Sequence, residues 1–154
     1  MTKTRAVMSI DPGKNGGLSA ITNDSVIECS RCPKSIGDMS LMVIHVVNEC
    51  YVENYELTTY IENVHAFPTD ARSSAFKFGM NFGIWMGILA SNKIDPIKVS
   101  PITWQKGFQP LSKIKKERKK MLYDIAQDMF PKIKITYAIS DALLMSVYGM
   151  SNGE

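Results

Sequence analysis

The sequence predicts an α/β fold in which one five-stranded mixed sheet carries helices on both faces. Three short β-type runs joined by tight turns open the chain, which is typical of an antiparallel meander. Helical and β-type runs then alternate, which favours further strands that join the same sheet. The length of 154 residues, with 45% hydrophobic and 21% charged residues, fits one globular domain over residues 1–154 and excludes large two-lobed architectures.

Turn signals bound the predicted strands. The first run ends at Asp11-Pro12-Gly13, Gly16-Gly17 opens the second, and Asn23-Asp24 forms a two-residue turn into the third. Two later β-type runs complete the sheet. The five predicted strands cover residues 4–10, 18–22, 25–29, 58–64 and 94–99.

Apolar residues at helical spacing predict four helices, over residues 36–47, 71–91, 113–130 and 140–150. Pro68-Thr69-Asp70 supplies the start signal of the second helix, and Pro131 ends the third. We expect the third helix to be amphipathic. Its inward-facing residues are predicted to be Ile114, Met121, Ile125 and Met129.

Positive charge is concentrated in one part of the chain. Residues 93–134 contain 11 Lys and Arg against 4 Asp and Glu, whereas the whole chain has a net charge of only +3. Such a local excess favours a basic face that binds a polyanion. The alternative is a lysine-rich helix face that is simply solvated.

The sequence carries no signal for export or for a membrane span. The most apolar stretch, residues 78–90, is shorter than the roughly 20 residues that a span needs. Three cysteines, an odd number, favour free thiols in a reducing compartment. We therefore expect a cytoplasmic protein that has no membrane partner.

Three acidic residues stand at predicted element ends. Asp11 ends the first strand, Glu62 lies near the end of the fourth, and Asp141 opens the last helix. Each alone is more often a turn former or a helix cap. Together they could converge on one rim of the sheet, where carboxylates repel one another unless a cation lies between them. Hard oxygen ligands favour Mg²⁺ or Mn²⁺, and a pair of such ions catalyses phosphodiester displacement.

Five segments in order make the chain resemble a known family. They are residues 9–13 (SIDPG), 60–64 (YIENV), 75–79 (AFKFG) running on to Gly83, the lysine-rich stretch 113–120, and 140–144 (SDALL). With them the chain resembles the RuvC family of Holliday-junction resolvases, which has a ribonuclease H-like fold, and looks most like its short phage-borne branch. If it is phage-encoded, the expected location is the host cytoplasm.

The resemblance implies an endonuclease that resolves four-way or branched DNA. Asp11, Glu62 and Asp141 would bind Mg²⁺, with Mn²⁺ as a substitute, and would drive hydrolysis by an activated water. A homodimer would cut opposed strands, and no small-molecule substrate is expected. The helix stripe of Gly79, Gly83 and Gly87 would form the dimer interface, although close packing against the sheet would explain the same spacing.

The resemblance also assigns DNA-binding residues. Lys106 and Lys116 best match the family's phosphate-binding lysines, and Trp104 is interpreted as a core anchor that aims Lys106 at phosphate. Neighbouring candidates are Lys113, Lys115, Arg118, Lys119 and Lys120. His65 matches an aromatic position that stacks on an unpaired base, and Phe67 follows in the same loop. Ordinary loop packing is the alternative for both rings.

One position departs from the family pattern. The family usually has Asp or His three residues before the last Asp, where this chain has Ala138, and Tyr137 beside it is no hard metal ligand. Three carboxylates and water would then hold the second cation, or activity would be weak. An inactivating substitution is a further alternative.

Other interpretations stay open at this stage. The spacing of Cys29, Cys32, His45 and Cys50 is close to that of a zinc finger, but the predicted elements scatter these residues, which favours ordinary thiols. Two rival functions are a junction-binding protein that has lost catalysis and a ribonuclease H-like nuclease that acts on RNA.

Overall fold

The computed structural model describes residues 2–63, 65 and 67–153. A five-stranded sheet in the order β3-β2-β1-β4-β5 forms its centre. β1 is antiparallel to β2, and β2 to β3, whereas β4 and β5 continue the sheet in parallel. This confirms the predicted mixed sheet. The strands are β1 (Arg5–Ile10), β2 (Gly17–Ile21), β3 (Val26–Arg31), β4 (Glu56–Glu62) and β5 (Ile97–Val99).

Helices cover both faces of this sheet, as the sequence predicts. Alternate residues of β1 point to opposite sides, so that Ala6, Met8 and Ile10 pack with α1 and α2 while Val7 packs with α4 and α5. The sheet therefore has one hydrophobic core on each of its two faces. The helices are α1 (Ile36–Val52), α2 (Arg72–Ser91), α3 (Pro101–Gln105), α4 (Lys115–Met129) and α5 (Tyr137–Asn152).

Small residues let α5 lie unusually close to the sheet. A Cβ added at Gly17 would lie 2.5 Å from the carbonyl oxygen of Ala138, and one at Gly149 would lie 2.6 Å from the ring of Tyr60. The buried hydroxyl of Ser19 on β2 donates a hydrogen bond of 2.8 Å to the carbonyl oxygen of Ala142. These contacts fix the position of α5 along β2, and with it the position of Asp141 on α5.

The last helix begins earlier than predicted. α5 starts at Tyr137 instead of residue 140, so Asp141 is its fifth residue and does not open it. Ala138 therefore lies inside the helix, about one turn before Asp141. The prediction also missed α3, whose start has a recognisable signal: the Ser100 side chain accepts a hydrogen bond from the backbone N–H of Thr103, and Pro101 occupies the first helical position.

The predicted inward face of α4 is wrong at three of its four residues. Ile125 is partly buried and packs against the core, as predicted. Ile114 precedes the helix and is exposed, and Met121 and Met129 are exposed as well, while Leu122 and Ala126 are buried. The reason is that α4 packs on α5 through a narrow stripe, on which the small side chain of Ala126 permits close approach. Among the residues that the structure describes, no helix combines the length and the apolar character that crossing a membrane requires.

Candidate active site

Asp11 follows β1 in a tight loop that leads into β2. Its backbone N–H donates to the carbonyl oxygen of Gly17 at 2.9 Å, and its Oδ1 accepts from the backbone N–H of Gly13 at 3.1 Å. A Cβ at Gly16 would lie only 2.0 Å from the carbonyl oxygen of Asp11, so the loop can close only with glycine there. The Asn81 side chain of α2 donates to the carbonyl oxygen of Pro12 and joins this loop to the helix. The Asp11 carboxylate is thus held at the rim of the sheet.

Glu62 ends β4 at the same rim. β1 and β4 are parallel neighbours, and Ile10 is paired with Ile61, so the residues that follow these two positions emerge side by side. Only 9% of Glu62 is exposed, and its Oε2 accepts a 2.8 Å hydrogen bond from the indole Nε1 of Trp104. Burial, and secondarily the charge of Asp11, raise the pKa of Glu62 to about 8.

Asp141 reaches this rim from α5. Burial, followed by the charge of Asp11, raises its pKa to about 6. The pKa of Asp11 is also raised, mainly by burial, although the hydrogen bond from Gly13 lowers it. Within the described part of the chain, no hydrogen-bond donor reaches the buried Oδ1 of Asp141. The structure thus brings Asp11 close enough to Glu62 and to Asp141 for its charge to oppose the ionisation of both.

The donor set suits a hard divalent cation, but the side chains do not form a finished metal site. Across residues 2–63, 65 and 67–153, no three His, Cys, Asp or Glu side chains are grouped closely enough to hold a metal ion together. One oxygen of Asp11 and one of Glu62 accept hydrogen bonds from the protein, whereas the free Oδ1 of Asp141 has the ligand chemistry that Mg²⁺ prefers. Asp11, Glu62 and Asp141 therefore offer the ligand chemistry of a divalent cation, but their side chains would have to move closer together to share one.

Lys119 on α4 is the basic residue whose charge acts on these carboxylates. Its positive charge lowers the pKa of both Asp11 and Asp141. The family resemblance favours Lys116 and makes Lys119 only a neighbouring candidate. Both of these lysines line one cavity, together with Ala138. None of the three carboxylates lines this cavity, and Ala138 in its wall lies about one helical turn before Asp141.

The other basic candidates have different surroundings. Lys120 forms an ion pair with Asp124 at 2.5 Å, and the guanidinium of Arg118 donates to the backbone carbonyl oxygens of Ser112 and Lys113. These two side chains are engaged within α4 and the turn before it. The exposed lysines with no described side-chain contact to the carboxylates are Lys106, Lys113 and Lys115.

The remaining predicted residues lie on the surface. His65 and Phe67 are both exposed in the segment that follows β4. Gly79, Gly83 and Gly87 are exposed on α2, and a Cβ added at any of them would meet nothing within 4 Å. Packing against the sheet therefore does not explain this stripe.

Cys29 packs on the opposite face of the sheet from the other candidate zinc ligands. Cys29 packs in the core on the α4 and α5 side, while Cys32 and Cys50 pack on the α1 and α2 side. His45 is exposed and lies 3.9 Å from Glu28. All three cysteines are free thiols, and burial raises the pKa of Cys29 and of Cys32 to about 12. The structure does not assemble the zinc-finger spacing into a site.

Folding stability is expected to fall with rising pH when no divalent cation is present. The pKa of Glu62 rises from an ordinary 4.5 to about 8 in the folded protein, and that of Asp141 from 3.8 to about 6. Between the ordinary and the raised value, the folded protein holds a proton that the unfolded chain has released. Stability is therefore lost as pH rises through this window. Thermal unfolding at pH 5 and pH 8 checks this, and Mg²⁺ should raise the melting temperature more at pH 8. Glu62→Gln should flatten the pH dependence, and the same dependence in that variant would contradict the assignment.

Comparison with known proteins identifies the fold. No family model and no curated protein matches the chain. The structure of T. thermophilus RuvC in complex with a Holliday junction substrate is similar with a TM-score of 0.55 and 16% sequence identity, over 97% of this chain and 96% of that chain. A second Thermus thermophilus RuvC structure has a TM-score of 0.55 and 14% identity, over 93% and 92%. The predicted resemblance is therefore confirmed at the level of fold: this chain has a RuvC-like form of the ribonuclease H-like α/β fold.

Proposed function

We propose that this chain is a single-domain, metal-dependent endonuclease that cuts four-way and other branched DNA by phosphodiester hydrolysis. The observation that carries the proposal is the group of Asp11, Glu62 and Asp141 at one rim, where the charge of Asp11 raises the pKa of both Glu62 and Asp141. Their burial disfavours three negative charges without a cation. A solved relative in fold binds a Holliday junction substrate, which supports branched DNA as the substrate class.

The chain's own residues would divide the work as follows. Asp11, Glu62 and Asp141 would hold divalent cations, Mg²⁺ or Mn²⁺, and such cations stabilise the charge on the attacking and leaving oxygens of a phosphodiester displacement. The Trp104 indole fixes one oxygen of Glu62, which leaves the other free to turn toward the rim. Lys119 adds a positive charge beside Asp11 and Asp141, where it would attract the substrate phosphate.

Ala138 distinguishes this site from the family pattern. Its methyl group supplies no fourth ligand, so we propose that three carboxylates and water complete the coordination. The unpartnered Oδ1 of Asp141 supports this within the described residues, because that oxygen has no competing protein donor.

DNA contacts beyond the reaction centre are proposed for the basic and aromatic surface residues. Exposed lysines contact phosphates without reading sequence, so they would position the junction. His65 and Phe67 are exposed near the end of β4, where they would stack on bases that a junction leaves unpaired. The proposed phosphate contacts are Lys106, Lys113, Lys115, Lys116, Arg118, Lys119 and Lys120.

We further propose a homodimer that pairs through α2. Two coordinated cuts on opposed strands need two sites related by a two-fold axis. The helix presents exposed Phe76 and Met80 beside its glycine stripe, with exposed fractions of 71% and 52%. Such apolar exposure suits an interface.

Gly83→Leu should break this dimer without harming the fold. A side chain at Gly83 has open space within one chain, so only close approach of a second chain would be blocked. Sedimentation at micromolar concentration measures the effect. Gly37→Leu is the matched control, because Gly37 is also an exposed helical glycine with open space around its Cβ. A monomeric unmodified protein, or an unaffected Gly83→Leu dimer, would contradict the interface.

The proposed function is tested with a labelled four-way junction. We expect nicks near the branch point with Mg²⁺ or Mn²⁺, none with EDTA, and much slower cutting of linear duplex DNA. A junction-binding protein without catalysis, which Ala138 makes a real second candidate, would bind the junction and leave it intact in every cation tested. An RNA duplex and an RNA–DNA hybrid of the same sequence separate DNA cleavage from RNA processing.

A further inference from the structure

A cavity of about 820 Å³ shares Lys119 with the surroundings of the candidate active site. Its walls come from the loop after Asp11, the end of β3, the first turns of α4, the segment that joins α4 to α5, and the start of α5. We call it the basic groove, and the residues that carry the argument are Asn15, Arg31, Lys116, Lys119, Lys134 and Tyr137.

The groove is strongly positive. Arg31, Lys116, Lys119 and Lys134 line it, and none of the described lining residues is acidic. These cations come from three separate parts of the chain, so one helix face does not explain their grouping. The guanidinium of Arg31 donates a 2.8 Å hydrogen bond to Oδ1 of Asn15, which fixes the arginine toward the loop that carries Asp11.

The groove also contains an oriented aromatic ring. Tyr137 packs against Tyr123 with ring centroids 4.8 Å apart and an interplanar angle of 34°. About half of the Tyr137 side chain, 48% of the residue, stays exposed. A ring that is held by one neighbour and stays half exposed can serve as a stacking platform for a base.

Lys119 connects the groove to the carboxylates. It lines the groove, and its charge acts on Asp11 and Asp141. A chain of phosphates that passes the carboxylates would therefore meet Lys119 and then the other three cations. A free phosphate ion carries at most about two negative charges at neutral pH and would leave part of this charge uncompensated.

We propose that the basic groove binds an unpaired DNA strand as it leaves the scissile phosphate. Arg31, Lys116 and Lys134 contact successive phosphates, and Tyr137 stacks on a base. The single strand is favoured over duplex because a ring can stack on a base only where that base has left its own stack. This inference rests on the proposed function, which supplies the scissile phosphate, and adds Arg31, Lys134 and Tyr137 to the substrate contacts.

The first test compares two double variants of equal charge. Arg31→Gln with Lys134→Gln removes two groove cations. The control, Lys3→Gln with Lys93→Gln, removes two exposed lysines that precede the starts of β1 and β5. Binding of a fluorescent single-stranded oligonucleotide and of a four-way junction is measured over a series of salt concentrations in EDTA. For the single strand, the groove variant should lower the slope of log K against log salt by about 1.4, since each lost phosphate contact removes about 0.7. The control should change it little, and equal slopes for both variants would overturn the proposal.

The second test addresses the ring. Tyr137→Ala should weaken single-strand binding by roughly 5- to 150-fold, the range that one base stack contributes. Tyr137→Phe keeps the ring and should keep the affinity, and thermal unfolding of both variants confirms that they fold. Equal affinity of the folded Ala and Phe variants would overturn the stacking role, and an RNA strand bound tenfold more tightly than DNA would overturn the assignment to DNA.

Junction cleavage separates this inference from the function on which it rests. If the unmodified protein cuts no DNA but the groove variants still lose strand binding, the proposed function fails and the groove assignment stands. If the protein cuts junctions and the groove variants bind and cut as the controls do, only the groove assignment fails.

Discussion

Asp11→Asn and Glu62→Gln should each slow junction cleavage by about a thousandfold or more, the scale of losing a group that stabilises charge in the transition state. Each substitution keeps the size of the side chain and removes one negative charge from the rim. Without that charge the remaining carboxylates hold a divalent cation less well. The measurement is the single-turnover rate on a labelled four-way junction at several Mg²⁺ concentrations.

DNA binding should survive in these variants. The lysines that contact phosphate are untouched, and loss of a negative charge beside the DNA reduces repulsion. Glu56→Gln is the matched control, because Glu56 is an exposed residue at the opposite end of the same strand as Glu62. Cleavage at the unmodified rate by both Asp11→Asn and Glu62→Gln would refute the carboxylate assignment, whether or not binding changed.

The positions of Asp11 and Glu62 were predictable because they depend on local strand ends. A β-type run ends at each residue, and parallel neighbours end at one edge of a sheet, so the two carboxylates meet at the rim. The position of Asp141 could not be predicted from its own segment alone. The closeness of α5 to β2 depends on Gly17, Ser19 and Gly149, which contact residues more than 85 positions away in the sequence. Its carboxylate could be nominated from the sequence, but the start of its helix was misplaced.

The basic residues illustrate what helical periodicity cannot decide. α4 carries lysines on successive turns, at positions 115, 116, 119 and 120. Their charges alone do not indicate which of them face the carboxylates. The packing of Leu122 and Ala126 on α5 selects the rotation of the helix, which directs Lys116 and Lys119 to the groove and leaves Lys120 beside Asp124. Because three of the four residues in the predicted apolar stripe are exposed, the lysine that acts on the carboxylates could not be identified either.

Trp104 shows the same limit at the reaction centre. The sequence marked it as a buried anchor, and it is fully buried. Its hydrogen bond to Glu62 joins residues 42 positions apart. It depends on α3, a five-residue helix that its Ser-Pro start would have revealed. No periodicity in so short an element indicates which way an indole N–H points.

Trp104→Phe should raise the Mg²⁺ concentration needed for half-maximal cleavage by about 10- to 100-fold, the usual loss when a partner that orients a metal ligand is removed. Phe fills most of the same space but has no N–H, so Oε2 of Glu62 loses its buried donor. Because that hydrogen bond lowers the pKa of Glu62, its loss should raise the pKa further and favour the protonated carboxyl, which binds a cation poorly. Saturating Mg²⁺ should restore most of the rate, and DNA affinity should not change.

Trp85→Phe is the control: Trp85 is equally buried, and within the described residues its indole N–H has no hydrogen-bond partner. Indole N–H resonances followed by NMR during Mg²⁺ titration without DNA add a readout independent of activity, in which the Trp104 signal should shift and the Trp85 signal should not. An unchanged Mg²⁺ requirement in Trp104→Phe would show that the indole only fills space beside Glu62.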